Sequence, residues 1–147
     1  MKFSRKLRDN ITDESVAYGY TLTVWGSGAL LISSHNINPH LIMSYVIGGV
    51  TGFAALALLA FRGFVKEVGI EHENNFIVAS MIHILASFGT VAINYLVIGH
   101  TGLQDVFLFA LIGVNTTLIY NIMLMAEYYL SKDIYDLEKR LSGGSEA

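Results

Sequence analysis

Four stretches of the chain, residues 16–33, 41–61, 76–98 and 106–130, contain no Lys or Arg and only one carboxylate, Glu127. A helix needs about 20 mostly apolar residues to cross roughly 30 Å of hydrocarbon, and each stretch meets or approaches that length. A buried helix of a water-soluble protein is rarely so long and so uniform, and four in succession would be stranger. The whole chain is 14% charged, against about 25% for an ordinary soluble domain. These features predict an all-α integral membrane protein, a four-transmembrane-helix bundle forming one domain over residues 1–147. Membrane lipid is then its first partner.

The basic residues set the expected orientation. Lys2, Arg5, Lys6 and Arg8 precede the first stretch, Arg62 and Lys66 separate the second and third, and Lys132, Lys139 and Arg140 follow the fourth. Residues 34–40 and 99–105 hold none of the nine. Cytoplasmic loops collect Lys and Arg, so the pattern predicts a multi-pass plasma-membrane protein with both termini and the 62–75 loop in the cytoplasm. Ser33-Ser34-His35-Asn36 is a poor cleavage site, so the first stretch is expected to stay as an anchor.

Smaller features refine this outline. Phe3, Leu7 and Ile11 recur at helical spacing among the basic residues, either as a short helix on the inner leaflet or as part of a flexible basic tail. Thr12, with Asp13 and Glu14 behind it, is a candidate N-cap for the first span. The short 34–40 and 99–105 turns predict that helices one and two, and three and four, pack as antiparallel hairpins. Past the fourth span, Leu130, Ile134, Leu137 and Leu141 are spaced 4, 3 and 4, the seam of a coiled coil. The fourth helix is therefore expected to extend into the cytoplasm over 131–141, with 142–147 too polar to fold.

Polar residues inside apolar stretches carry the functional information. Ser80, His83, Ser87, Thr90 and Asn94 form one stripe along the third helix, since steps of three and four return to the same face. Gly113, Thr117 and Asn121 do the same on the fourth helix, and Gly48 and Gly52 on the second. Small residues let helices approach, and Ser, Thr and Asn bond across them. The other reading is a polar path for an ion or small solute, for which a charged group near the midplane is missing. His83 and the inner-leaflet acid Glu127 are the ionisable exceptions, and a contact between them is geometrically open. His35, His40 and His100, beside Asp105, are weak candidates for a metal site, because they lie on two separate turns. With no Cys there is no disulfide or thiolate site. No nucleophile–base pair or recognised ligand motif occurs, so neither an enzyme nor a resident cofactor is expected.

The chain as a whole resembles a family of small four-helix bacterial membrane proteins commonly encoded beside LytTR-type transcription regulators. The resemblance is carried by Gly19-Tyr20-Thr21-Leu22, by residues 48–55, by Ile82-His83-Ile84-Leu85 and above all by the ending from Tyr129 through Lys132-Asp133-Ile134 to Leu141. Asn38-Pro39-His40 departs from that family's aromatic-Pro turn. The resemblance implies a membrane-embedded regulator that restrains a cytoplasmic LytTR-type DNA-binding partner without touching nucleic acid itself. The alternative is a small transporter or channel, assembled from several copies, with its path lined by the third helix.

Overall fold

The structure, a computed structural model, describes the backbone over residues 2–61 and 76–143, and side chains over 17–59, 85–130 and at 83, 133 and 137. The described residues form four helices, α1 (Lys2–Ser34), α2 (Pro39–Phe61), α3 (Phe76–His100) and α4 (Asp105–Gly143), and no strand. By length and composition, α2 and α4 are apolar enough to cross a membrane. The 62–75 loop lies outside the described residues.

The short turns are built by local capping. The α1 helix ends with the His35 amide donating to the Leu31 carbonyl at 3.1 Å. Asn38 caps α2 by accepting the Leu41 amide on Oδ1 at 3.0 Å, and Pro39, which lacks an amide proton, fills the first helical position. At the other turn Thr101 donates both its amide and its hydroxyl to the Val97 carbonyl, and the Gln104 carbonyl accepts the Leu108 amide at 3.0 Å to start α4. Both turns lie at one end of the bundle, called here the turn end.

Two expectations about the elements are corrected. Thr12 is not an N-cap: α1 is a single helix of 33 residues from Lys2, and no Gly or Pro lies before Gly19 to interrupt it. Helices one and two are not packed as a hairpin. Among the described residues α2 packs on α4 alone, and α4 also contacts α3 and α1, while α1 packs chiefly on α3. Among the described residues, α1 and α2 are joined by the Tyr45 hydroxyl donating to the Val24 carbonyl at 2.9 Å. A short turn keeps two helix ends close but does not make the helices lie together.

The smoothest available surfaces decide the pairing instead. A Cβ at Gly48 would strike the Ala110 backbone, and one at Gly113 would strike the Tyr45 carbonyl. At Gly52 it would stand 3.1 Å from the Val114 carbonyl oxygen. Backbones this close require glycine, and close approach is what stabilises helix pairs where no hydrophobic effect drives them together. The α2–α4 pair is parallel: Ser44 bonds the Val106 carbonyl at 2.6 Å, and further along both helices Thr117 bonds the Gly49 carbonyl at 3.2 Å. The α1–α3 pair is parallel too, from Ser87 on the Gly19 carbonyl to Asn94 on Ser27. The α3–α4 pair is antiparallel, with Asn94 at Thr116 and Gly89 at Met123.

Side chains are distributed the reverse of a water-soluble fold. Thr23, Ser27, Ser87, Thr90, Asn94, Thr116, Thr117 and Glu127 are buried, while Trp25, Val50, Phe53, Phe88 and Tyr95 are exposed. Among the described residues a compact apolar cluster lies at the turn end, where Leu31, Leu41, Leu108, Phe109 and Ile112 meet.

Candidate functional site

Three layers follow one another along the bundle. The first is the apolar plug at the turn end, which separates the interior from the two turns. Its rim holds His35, whose ring meets Phe109 edge-on at 5.7 Å and whose Nε2 lies 3.9 Å from Asp105.

The middle layer is a polar belt that ties helices together. Asn94, fully buried, donates from Nδ2 to Ser27 on α1 at 2.8 Å and to Thr116 on α4 at 3.0 Å. Thr116 passes its own proton to the Ile112 carbonyl at 2.7 Å. The Tyr20 hydroxyl and Thr117 Oγ1 are 3.1 Å apart, joining α1 to α4, while Thr117 also reaches Gly49 on α2. Thr23 and Thr90 are buried but turn back onto the Gly19 and Ala86 carbonyls of their own helices. Such back-bonding is how hydroxyls satisfy themselves inside a helix.

The third layer, away from the turn end, contains the ionisable residues. Ser87 donates to the Gly19 carbonyl at 3.0 Å. Gly19 is in tight contact: a Cβ there would stand 2.9 Å from the Tyr120 hydroxyl, 3.1 Å from Ser87 Oγ and 3.6 Å from His83 Cβ. Tyr20 and Tyr120 are tilted against each other with centroids 5.4 Å apart. Glu127 is 8% exposed, yet neither carboxylate oxygen has a hydrogen-bond partner, and the buried Nδ1 of His83 has none either.

The sequence-chosen residues fall as follows. Ser87, Thr90 and Asn94 are buried between helices and His83 is half-buried, while the side chain of Ser80 lies outside the described residues. Gly48, Gly52, Gly113 and Thr117 lie in the α2–α4 contact. Asn121 bonds back to the Thr117 carbonyl of its own helix at 2.8 Å instead of crossing. Along the seam, Leu130 and Leu137 are 61% and 58% exposed, and the side chains of Ile134 and Leu141 are outside the described residues.

The outer histidines do not converge. No three His, Asp or Glu side chains among the described residues come together as a metal site. His35 faces Asp105, His40 is exposed, and His100 Nδ1 lies 2.9 Å from the Leu96 carbonyl of its own helix. Sequence reasoning passed over Ser27, Thr116 and the hydroxyls of Tyr20, Tyr45 and Tyr120. Ser27 continues the step of four from Thr23, and that signal was available. The tyrosines carry no such mark, because their rings belong to the apolar count. No protein-family model, curated protein or solved structure matches this chain.

Proposed function

We propose that the chain is a multi-pass protein of the bacterial plasma membrane, crossing it four times with both termini in the cytoplasm. We further propose that it is a regulator, whose α4 extension engages and restrains a cytoplasmic LytTR-type transcription regulator. Immersion in lipid is supported by the exposed Trp25, Phe53 and Phe88 around buried Ser, Thr and Asn. Water-soluble monomers rarely expose apolar patches beyond a few hundred Å². The orientation is supported by the segregation of all nine basic residues.

One observation carries the regulatory proposal. The α4 helix runs unbroken for 39 residues, Asp105–Gly143, which at 1.5 Å per residue is about 58 Å, nearly twice the hydrocarbon thickness. Its final turns therefore project beyond the lipid, and they carry Leu137 exposed, one heptad past Leu130 at the end of the span. Isolated helices under about 12–15 residues are marginal in water, but this one is nucleated by the span before it. An apolar edge held out on a preformed helix is a docking surface for another helix. The resemblance of residues 129–141 names the class of partner. Conduction by a single chain finds less support, because the polar belt is consumed by interhelical bonds and the plug of Leu31, Leu41, Leu108, Phe109 and Ile112 stands at its turn-end side.

The test combines Ile134→Asp with Leu137→Asp and reads transcription from the partner's promoter. Transcription should rise with the membrane protein at unchanged abundance, and persisting restraint would rule out the seam as the docking surface. Single cysteines at Asn38 and Ser142, in a chain that has none of its own, test the orientation separately. An impermeant maleimide should label only Asn38→Cys in intact cells.

A further inference from the structure

The α4 helix has neighbours on three sides. Gly113 and Thr117 meet α2, Thr116 and Met123 meet α3, and Thr117 also reaches Tyr20 on α1. The remaining side holds Leu111, Asn115, Leu118, Ile122, Met125 and Tyr129, at steps of 4, 3, 4, 3 and 4. That spacing keeps to one face of a helix, and it is the seam along which two helices wind together. The last three of these residues are exposed and the first three half-buried. This side lies about 100° around α4 from the Leu130–Leu141 seam, so the two surfaces are distinct.

Asn115 is out of place on such a face. Among the described residues, every other Ser, Thr or Asn side chain within the four helices takes part in a hydrogen bond, and Asn115 takes part in none. Nor does the bundle enclose its amide. Asn115 stands ten residues past Asp105, about 15 Å along the helix, which is half the thickness of the hydrocarbon. Water and headgroups are out of reach there, and acyl chains neither donate nor accept. An amide at that depth is strongly unfavourable unless another helix bonds it.

We propose that this side of α4 is the interface of a homodimer, in which Asn115 bonds Asn115 of a second copy across a two-fold axis along the membrane normal. A carboxamide offers both donor and acceptor, so two of them related by the axis satisfy each other, each Nδ2 donating to the opposite Oδ1. The segregation of the basic residues inserts every copy the same way up. The two α4 helices are then parallel, and both amides stand at the same depth. A second copy is therefore the partner certain to bring a matching group to the right level. In parallel coiled coils a single Asn on the seam sets register and strand number in this way. Leu111 packs on one side of the amide pair, and Leu118, Ile122 and Met125 on the other. The dimer rests on the membrane-spanning part of the proposed function and is independent of any restraint of a transcription regulator.

The test uses the full chain in phospholipid vesicles, carrying donor or acceptor dye on Ser142→Cys, and follows energy transfer as added lipid dilutes the protein. Transfer should fall along a monomer–dimer curve. Asn115→Leu should shift that curve about five- to tenfold toward monomer, the contribution of two bonds between membrane helices, and Asn115→Gln should keep most of the association. Since Asn115 bonds nothing within its own chain, N115L should leave thermal unfolding in detergent unchanged. Single cysteines at Leu118 and Ile122 should cross-link under oxidant, and those at Val50 and Leu96, exposed on α2 and α3, should not. Absence of transfer at every dilution overturns the proposal. So does an N115L curve superimposed on the wild type, or cross-linking through Val50→Cys in place of Ile122→Cys. An inserted monomer sinks the dimer alone, whereas a chain that alkaline carbonate strips from the vesicles overturns the membrane reading and the dimer with it.

Discussion

Asn94 joins three helices through one amide group, and its contribution can be measured. Its Nδ2 protons go to Ser27 and Thr116, and each bond between membrane helices contributes about 0.6 kcal/mol on average. Asn94→Ala should therefore lower stability by about 1 kcal/mol in mixed micelles titrated with denaturing detergent. A double-mutant cycle with Ser27→Ala should return a coupling near 0.6 kcal/mol, and a coupling of zero would mean that the bond is not made. Thr90 gives the contrast, since its hydroxyl stays on the Ala86 carbonyl and Thr90→Ala breaks no bond between helices. Spacing alone made the face of the Ser87, Thr90 and Asn94 stripe legible, because a helix returns every three or four residues. Spacing could not tell which hydroxyls cross, because that depends on whether the facing helix offers a partner within reach. The hydroxyls of Tyr20 and Tyr45 enter the belt from long side chains, whose tips leave the face on which their Cα atoms lie.

Between elements, the α2–α4 contact depends on atoms that are absent. Gly48 meets the Ala110 backbone and Gly49 meets only Thr117 Oγ1 at 3.7 Å and the Gly113 carbonyl oxygen at 3.8 Å. Adjacent glycines should thus respond oppositely to one methyl group. Gly48→Ala forces the helices apart and should destabilise the bundle by about 1–3 kcal/mol, as overpacking of a tight contact does. Gly49→Ala makes ordinary contacts and relieves the backbone entropy of glycine in a helix, so it should be neutral or stabilising by up to about 1 kcal/mol. Equal effects at the two positions, by thermal unfolding in detergent, would refute this contact geometry. The helices themselves were legible as apolar runs bounded by Asn38-Pro39 and by the Gly99–Gly102 turn. The partner of α2 was not, because loop length restricts only where helix ends lie. The choice between α1 and α4 was made by how flat each facing surface is, and a run of glycines marks a contact without naming its counterpart.

At the scale of the whole molecule, the solvent decides whether this distribution of side chains is stable. In water the exposed Trp25, Val50, Phe53 and Phe88 would drive aggregation, and the buried Asn94, Thr116 and Glu127 would gain more from hydration than from one another. In lipid both preferences reverse, because acyl chains accept the apolar rim and offer the polar residues no partner but each other. The single tryptophan reports on this directly: Trp25 is 73% exposed on α1, one residue from the Val24 carbonyl that accepts Tyr45, at the level of the polar belt and away from either helix end. In vesicles of phospholipid brominated along its acyl chains, Trp25 fluorescence should be strongly quenched, and iodide added to the water should have little effect. Ready quenching by iodide with none by bromolipid would mean that α1 faces water, overturning the four-span proposal. Weak quenching by both would mean that another protein surface covers Trp25, and the contact between copies would then lie on α1.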